Sequence, residues 1–149
     1  MCHLGGTVRG LVPRSLIEEG LVVTNWGSSH AETVAECALM LTLCCLRRVT
    51  DSQLTMHVEK KWKWPMSCQP LSLYRRRVGL HGFGAVARSL IPLLRPFGVS
   101  IQAWSHGVPA EVFAELGVHR AHSLEDLFST SEVLIEVEAA SPANRGSVK

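Results

Sequence analysis

Residues Val78 to Leu90 read VGLHGFGAVARSL: a short apolar run, two glycines one residue apart, then apolar residues at helical spacing. Few architectures admit a chain that turns so tightly from strand into helix. A strand, a helix and a second strand in quick succession form the unit of a parallel sheet. In the dinucleotide-binding form of that unit, the first glycine permits the turn and the second lets the backbone approach a pyrophosphate. A third small residue lets helix and strand pack closely. Gly82, Gly84 and Ala87 stand at those three positions, as G-x-G-x-x-A. The N–H groups opening the helix would then face phosphate oxygens. The alternative is a turn that only joins strand to helix.

The residues that follow repeat the pattern. Ala85 to Leu94 reads as a helix ended by Pro96 and Gly98, and Val99 to Trp104 as a strand. Pro92 falls inside that helix, where its missing N–H predicts a kink. Pro109 to Leu116 reads as a helix stopped by Gly117, and Val118 to Ala121 as a brief strand. Ser123-Leu124-Glu125-Asp126 opens a capped helix, and Val133 to Val137 closes the series as a strand. Strands alternating with helices predict an α/β fold with a parallel sheet.

The first half is less regular. Pro13 to Glu19 reads as a short helix with Gly20 as its stop, and the β-branched run Leu21 to Thr24 as a buried strand. Ser29 and Glu32 match a capping box for a helix running to about Arg48. That helix is apolar nearly all round, so it must be covered by the rest of the chain or by a second subunit. Thr50 to Arg77 lacks a period and reads as a long loop with one short helix.

Composition sets limits on function. The 149 residues are 46% hydrophobic and 19% charged, with a formal net charge of +2. Such a balance suits a globular domain and gives no whole-molecule field toward nucleic acid or an anionic membrane. The start MCHLGGTVRG lacks signal-peptide regions, and Leu39 to Leu46 is too short to span a bilayer. Five cysteines without a C-x-x-C predict a reduced, cytoplasmic protein. Three of them, Cys37, Cys44 and Cys45, lie in the apolar helix and read as small hydrophobes. His119 and His122 lack further ligands at metal spacing, so no metal site is expected.

About 20 positions beyond the glycine turn, a dinucleotide fold places an acid that bonds the adenosine ribose. Here the strand Ile101 to Trp104 ends in Ser105-His106, with no acid. That permits NADP as well as NAD, although no Arg stands beside it to hold a 2′-phosphate. His106 is a weak candidate for that contact, and the alternative is a solvated loop histidine.

At this point four ordered segments carry a resemblance. LHGFGAVARSLIPLLRPFGVSIQAWS resembles the cofactor-binding core of the D-isomer-specific 2-hydroxyacid dehydrogenases. GLVVTNWGSSHAETVAECALMLTLCCLRR resembles the family's strand, Asn and long A-V-A-E helix, and HSLEDLFSTSEVLIEVEAASPANRGSV its segment S-L-D-E-L-L-x-x-S-D-V-V through T-P-E-T-R-G-L-I. GGTVRGLVP resembles the glycine loop near the end of the substrate domain's first portion. The resemblance implies a Rossmann-type doubly wound parallel sheet, incomplete, with a remnant of the substrate domain. Residues 1–25 would be the tail of the substrate portion and 26–149 a partial NAD(P)-binding domain including the linking helix.

The implied cofactor contacts are Gly82, Phe83, Gly84, Ala85, Val86, Ser105, His106 and Ala139. Ser105 takes the place of the usual acid. Glu138-Ala139-Ala140-Ser141 takes the place of a V-P-L-T loop lining the cofactor. Gly6, Thr7 and Val8 would offer backbone N–H groups to a substrate carboxylate. The helix from Ala31 would pack in a homodimer. The implied reaction is hydride transfer between NAD or NADP and a 2-hydroxyacid/2-oxoacid pair.

Two departures stand out. Glu138 puts a negative charge near a pyrophosphate, and the lost proline loosens the loop. The family's catalytic Arg, Glu and His all align after Lys149, so the chain reads as a middle piece that holds cofactor without turning over alone. Other readings compete. One is a non-catalytic dimerising subunit, and another a different nicotinamide or flavin enzyme on the same fold. A third is a single-stranded nucleic-acid module using the basic and aromatic residues between Lys60 and Arg77. A solvated loop explains that last run better.

Overall fold

The computed structural model describes residues 1–3, 8, 10–62, 69–140 and 144–148. The predicted strand–helix alternation is present, within a residue or two of each expected boundary. From the strand that leads into the glycine turn onward come β1 (Arg77–His81), α4 (Ala85–Leu94), a 3-10 turn (Arg95–Phe97), β2 (Ser100–Trp104), α5 (Ala110–Glu115), β3 (His119–Arg120), α6 (Leu124–Thr130) and β4 (Val133–Glu136). Before it come α1 (Arg14–Glu18), α2 (Ala31–Leu46), α3 (Val49–Gln53) and one π-helical turn (Leu54–Val58).

The four strands are all parallel, in the order β3-β2-β1-β4. β1 is therefore central, and it is buried at every residue from Val78 to His81. Alternate strand residues face opposite ways, so helices cover both faces of the sheet at this point. The core is built from Val78 and Leu80 of β1, Ala87, Leu90, Ile91 and Leu94 of α4, Ile101 and Ala103 of β2, and Phe113 of α5. α2 lies across α4 and seats Ala35 in this core. Gly79 is needed inside β1, because a Cβ there would collide with the Ser131 hydroxyl.

The register sets the mouth of the sheet. His81 pairs with Trp104 on one side and with Glu136 on the other, so the carboxyl ends of three strands finish level. Ligands of open α/β sheets bind beyond such ends.

Several expectations need correction. The capping box does not form: His30 is the residue before α2, and the Ser29 hydroxyl donates instead to the Trp26 carbonyl at 2.8 Å. A tight turn at residues 27–30 takes the serine before the helix can use it. Leu21 to Thr24 is not a strand. It makes one isolated bridge, Thr24 to Cys2, and Val22 is 74% exposed. The short helix expected within the stretch after α2 lies at residues 49–53 and runs on as a π-helical turn to 58, set off from α2 by Arg48 at φ 51°.

Pro92 lies inside α4, as expected, and the helix runs on through it to Leu94. The proline lies on the exposed side, where the Arg88 carbonyl left without its amide partner can reach solvent. The rest of the chain does not cover α2 on most sides, since Val34, Met40 and Leu41 are exposed, which leaves a second subunit as the other expected cover. Cys37 and Cys45 are exposed too, so they do not act as buried hydrophobes. No helix among the described residues is long and apolar enough to cross a membrane.

Candidate cofactor site

The two glycines of the turn are required for different reasons. Gly82 has φ +98°, and its N–H donates to the Trp104 carbonyl at 2.8 Å. A Cβ on Gly82 would lie 2.7 Å from the Cα and N of Glu138, so the segment after β4 passes directly over it. Gly84 has φ −78° and ψ −165°, an extended geometry open to any residue. A Cβ there would meet nothing within 4 Å. The second glycine therefore answers no demand of the protein's own packing. What it leaves is free backbone surface at the start of a helix.

That helix is α4. Gly84 offers it no side-chain cap, so the N–H groups of its first turn have no side-chain acceptor and the positive end of its dipole is bare. A cleft of about 600 Å³ opens here, lined by Gly84, Ala85, Arg88 and Ser89 of the turn and helix, by Ser28 and Ser29 before α2, and by Ala31 and the acidic Glu32 in its first turn. Arg88 brings a cation to the first turn, its Nε donating to the Phe83 carbonyl at 3.2 Å. The sequence reading passed over Arg88, although its place within one turn of the glycines was a signal. Phe83, by contrast, turns its ring inward. It is stacked on Phe113 with centroids 4.2 Å apart, so only its backbone faces a ligand. Ala87 is fully buried, which is the close-packing role of the third small residue. The pieces fit a dinucleotide pyrophosphate: bare helix N–H groups, an open glycine and one guanidinium.

At the end of β2, Ser105 is buried and His106 is exposed. The Ser105 hydroxyl donates to Oε2 of Glu138 at 3.1 Å. The sequence had placed no acid at this point, and the structure brings one from the loop after β4. That loop is held despite its missing proline. Glu136 accepts the Glu138 N–H on Oε1 at 2.9 Å and the His81 Nδ1–H on Oε2 at 2.5 Å. Ala139 is exposed, and its carbonyl accepts the Asn144 amide at 2.8 Å.

His81 is 2% exposed, lies 5.5 Å from the Trp104 ring, and has no hydrogen-bond partner on Nε2. Neither His81 nor Glu136 stood out in the sequence. Each is one polar residue at the end of an apolar strand, and only the register shows that they meet.

Gly6 and Thr7 lie outside the described residues. Val8 is half-buried, and its carbonyl accepts the N–H groups of Leu11 and Val12, both at 3.0 Å. The basic run is split. Lys63 and Trp64 lie outside the described residues, while Arg76 pairs with Glu132 at 2.6 Å and the Arg77 Nε donates to the Thr130 carbonyl at 2.8 Å. Two of its cations thus fasten strand ends together.

Comparison with known proteins bears on the family and the fold. The family described as D-isomer specific 2-hydroxyacid dehydrogenase, NAD binding domain, matches residues 39–149. Hydroxypyruvate reductase of Thermotoga maritima is 29% identical over 117 residues, covering 78% of this chain and 36% of that protein. The phosphoglycerate oxidoreductase of Rhizobium etli superposes with a TM-score of 0.74 at 25% identity, covering 98% of this chain and 49% of that one. The NAD-complexed D-isomer-specific 2-hydroxyacid dehydrogenase of Lactobacillus delbrueckii ssp. bulgaricus shares the fold, with a TM-score of 0.72 at 18% identity over 83% of this chain and 38% of that one. The chain thus spans half or less of the length of each of these relatives.

Proposed function

Because the chain belongs to the D-isomer-specific 2-hydroxyacid dehydrogenase family, we propose that it is the cofactor-holding part of an oxidoreductase that interconverts a D-2-hydroxyacid and a 2-oxoacid. Residues 1–25 are read as the tail of the substrate portion and 26–149 as the cofactor portion. The observation that carries this reading is Gly84: its missing Cβ serves no packing need, and it opens the backbone at an uncapped helix start. NAD, when bound, accepts or donates the hydride.

The chain's own part is to bind and orient. The backbone of Gly82 to Val86 takes the pyrophosphate, Arg88 adds charge beside it, and Ser105, His106 and Ala139 lie toward the adenosine end. Gly6, Thr7 and Val8 are assigned to the substrate carboxylate. Alone, the chain is proposed to hold cofactor without turnover. A reduced, cytoplasmic setting suits the free thiols of Cys2, Cys37, Cys44 and Cys45.

The test is a titration of the purified chain with NADH, followed by nicotinamide fluorescence and energy transfer from tryptophan. Saturable binding supports the reading, and no binding by a folded chain refutes it. Steady reduction of any 2-oxoacid would refute the proposal that the chain does not turn over alone.

One observation favours a second reading, a non-catalytic dimerising subunit. Val34, Cys37, Leu41 and Cys45 share one exposed stripe of α2. A dimer that binds neither cofactor would support it.

A further inference from the structure

The end of β2 carries no acid in the sequence, yet a carboxylate stands there in the fold. We propose that Glu138 is the ribose-reading acid of this site, supplied from the loop after β4 in place of the strand β2 position, and that it makes the chain prefer NAD(H) to NADP(H). This deepens the reading above and rests on it.

Three observations place the carboxylate. The backbone of Glu138 is pressed against Gly82, where even a methyl group would be 2.7 Å from its Cα. That contact seats Glu138 over the glycine turn, between the carboxyl ends of β1 and β4. Its side chain then runs toward β2, where Oε2 accepts the Ser105 hydroxyl at 3.1 Å. Its main chain is fixed from below, since the Glu138 N–H is held by Glu136 and Glu136 is held by His81.

A carboxylate in this place accepts hydrogen bonds from the ribose hydroxyls and repels a 2′-phosphate. The guanidinium of Arg120, on the neighbouring strand β3, lies over the Phe113 ring at 5.9 Å. Oε2 has one serine donor and Oε1 remains to accept from a ribose. Ser105 is then a positioning residue, and the acid it positions comes from the loop after β4.

The test titrates the purified chain and its Glu138→Gln and Ser105→Ala variants with NADH and with NADPH, by nicotinamide fluorescence. Circular dichroism reports the fold of each. The wild type is expected to bind NADH at least about tenfold more tightly than NADPH, and Glu138→Gln to reduce that ratio by about tenfold. Ser105→Ala should reduce it by a smaller factor, because the charge stays and only its placement is lost.

A ratio unchanged in Glu138→Gln overturns the proposal while NADH binding itself stands. An equal gain for both cofactors also overturns it, since the carboxylate would then be acting on the shared pyrophosphate. If Glu138→Gln does not fold, Ser105→Ala decides: an unchanged ratio overturns the proposal and a reduced one supports it. A folded wild type that binds neither cofactor overturns the cofactor reading as well.

Discussion

Glu132 joins the amino-terminal ends of β1 and β4, far from the glycine turn. Its carboxylate accepts the Arg77 N–H at 3.0 Å and the Arg76 guanidinium at 2.6 Å. The Arg77 N–H first, and then Arg76, hold its pKa below the ordinary glutamate value. A carboxylate depressed in the folded state stabilises the protein above its unfolded pKa, about 4.3, and that stability is lost as pH falls through the depressed value. Glu132→Gln is therefore expected to lower the urea midpoint at neutral pH and to leave it closer to wild type in acid. A difference that does not shrink with acidification would contradict this.

Residues of this kind divide by how local their cause is. Gly82, Gly84 and Ala87 were legible because three adjacent positions state their own requirement. Glu138 was read as a liability, and His81 and Glu136 were not read at all. Their partners lie 33 and 55 residues away, and only the register of β1 with β4 brings them together.

At the scale of elements, the half from β1 to β4 was readable because each helix there has a local start or stop. Gly98 and Gly117 adopt positive φ, and Ser123 accepts the Asp126 N–H at 3.0 Å. Leu21 to Thr24 misled because a β-branched run is only a propensity: its backbone groups need a neighbouring strand, and the described residues offer one bridge. Pro92 shows the reverse, a local breaker overridden by packing. Leu90, Ile91 and Leu94 are buried around it, so the helix is held through the proline. Pro92→Ala restores the missing amide and removes ring crowding, and should raise stability by about 1–3 kcal/mol. Urea unfolding checks this, and an unchanged or lower midpoint would contradict it.

At the scale of the whole molecule, α2 divides the chain's inner and outer business. Ala31 and Ala35 face inward, while Leu41 is 54% exposed on the outer stripe. The apolar character seen in the sequence was correct, but a sequence cannot say which side the chain itself will cover. If that stripe is a dimer face, Leu41→Lys should convert dimer to monomer in sedimentation without lowering the circular-dichroism signal. A wild type monomeric at all concentrations would contradict that.

The central claim is that the turn after β1 is a working dinucleotide site. It is tested most directly by comparing NADH binding by the chain and by Gly84→Val. Position 84 has ordinary φ and open space, so the variant should fold like the wild type. Its side chain would stand where the pyrophosphate lies. The account predicts saturable NADH binding by the wild type and a loss of at least about tenfold in the variant. Equal binding by both, or none by a folded wild type, would contradict it.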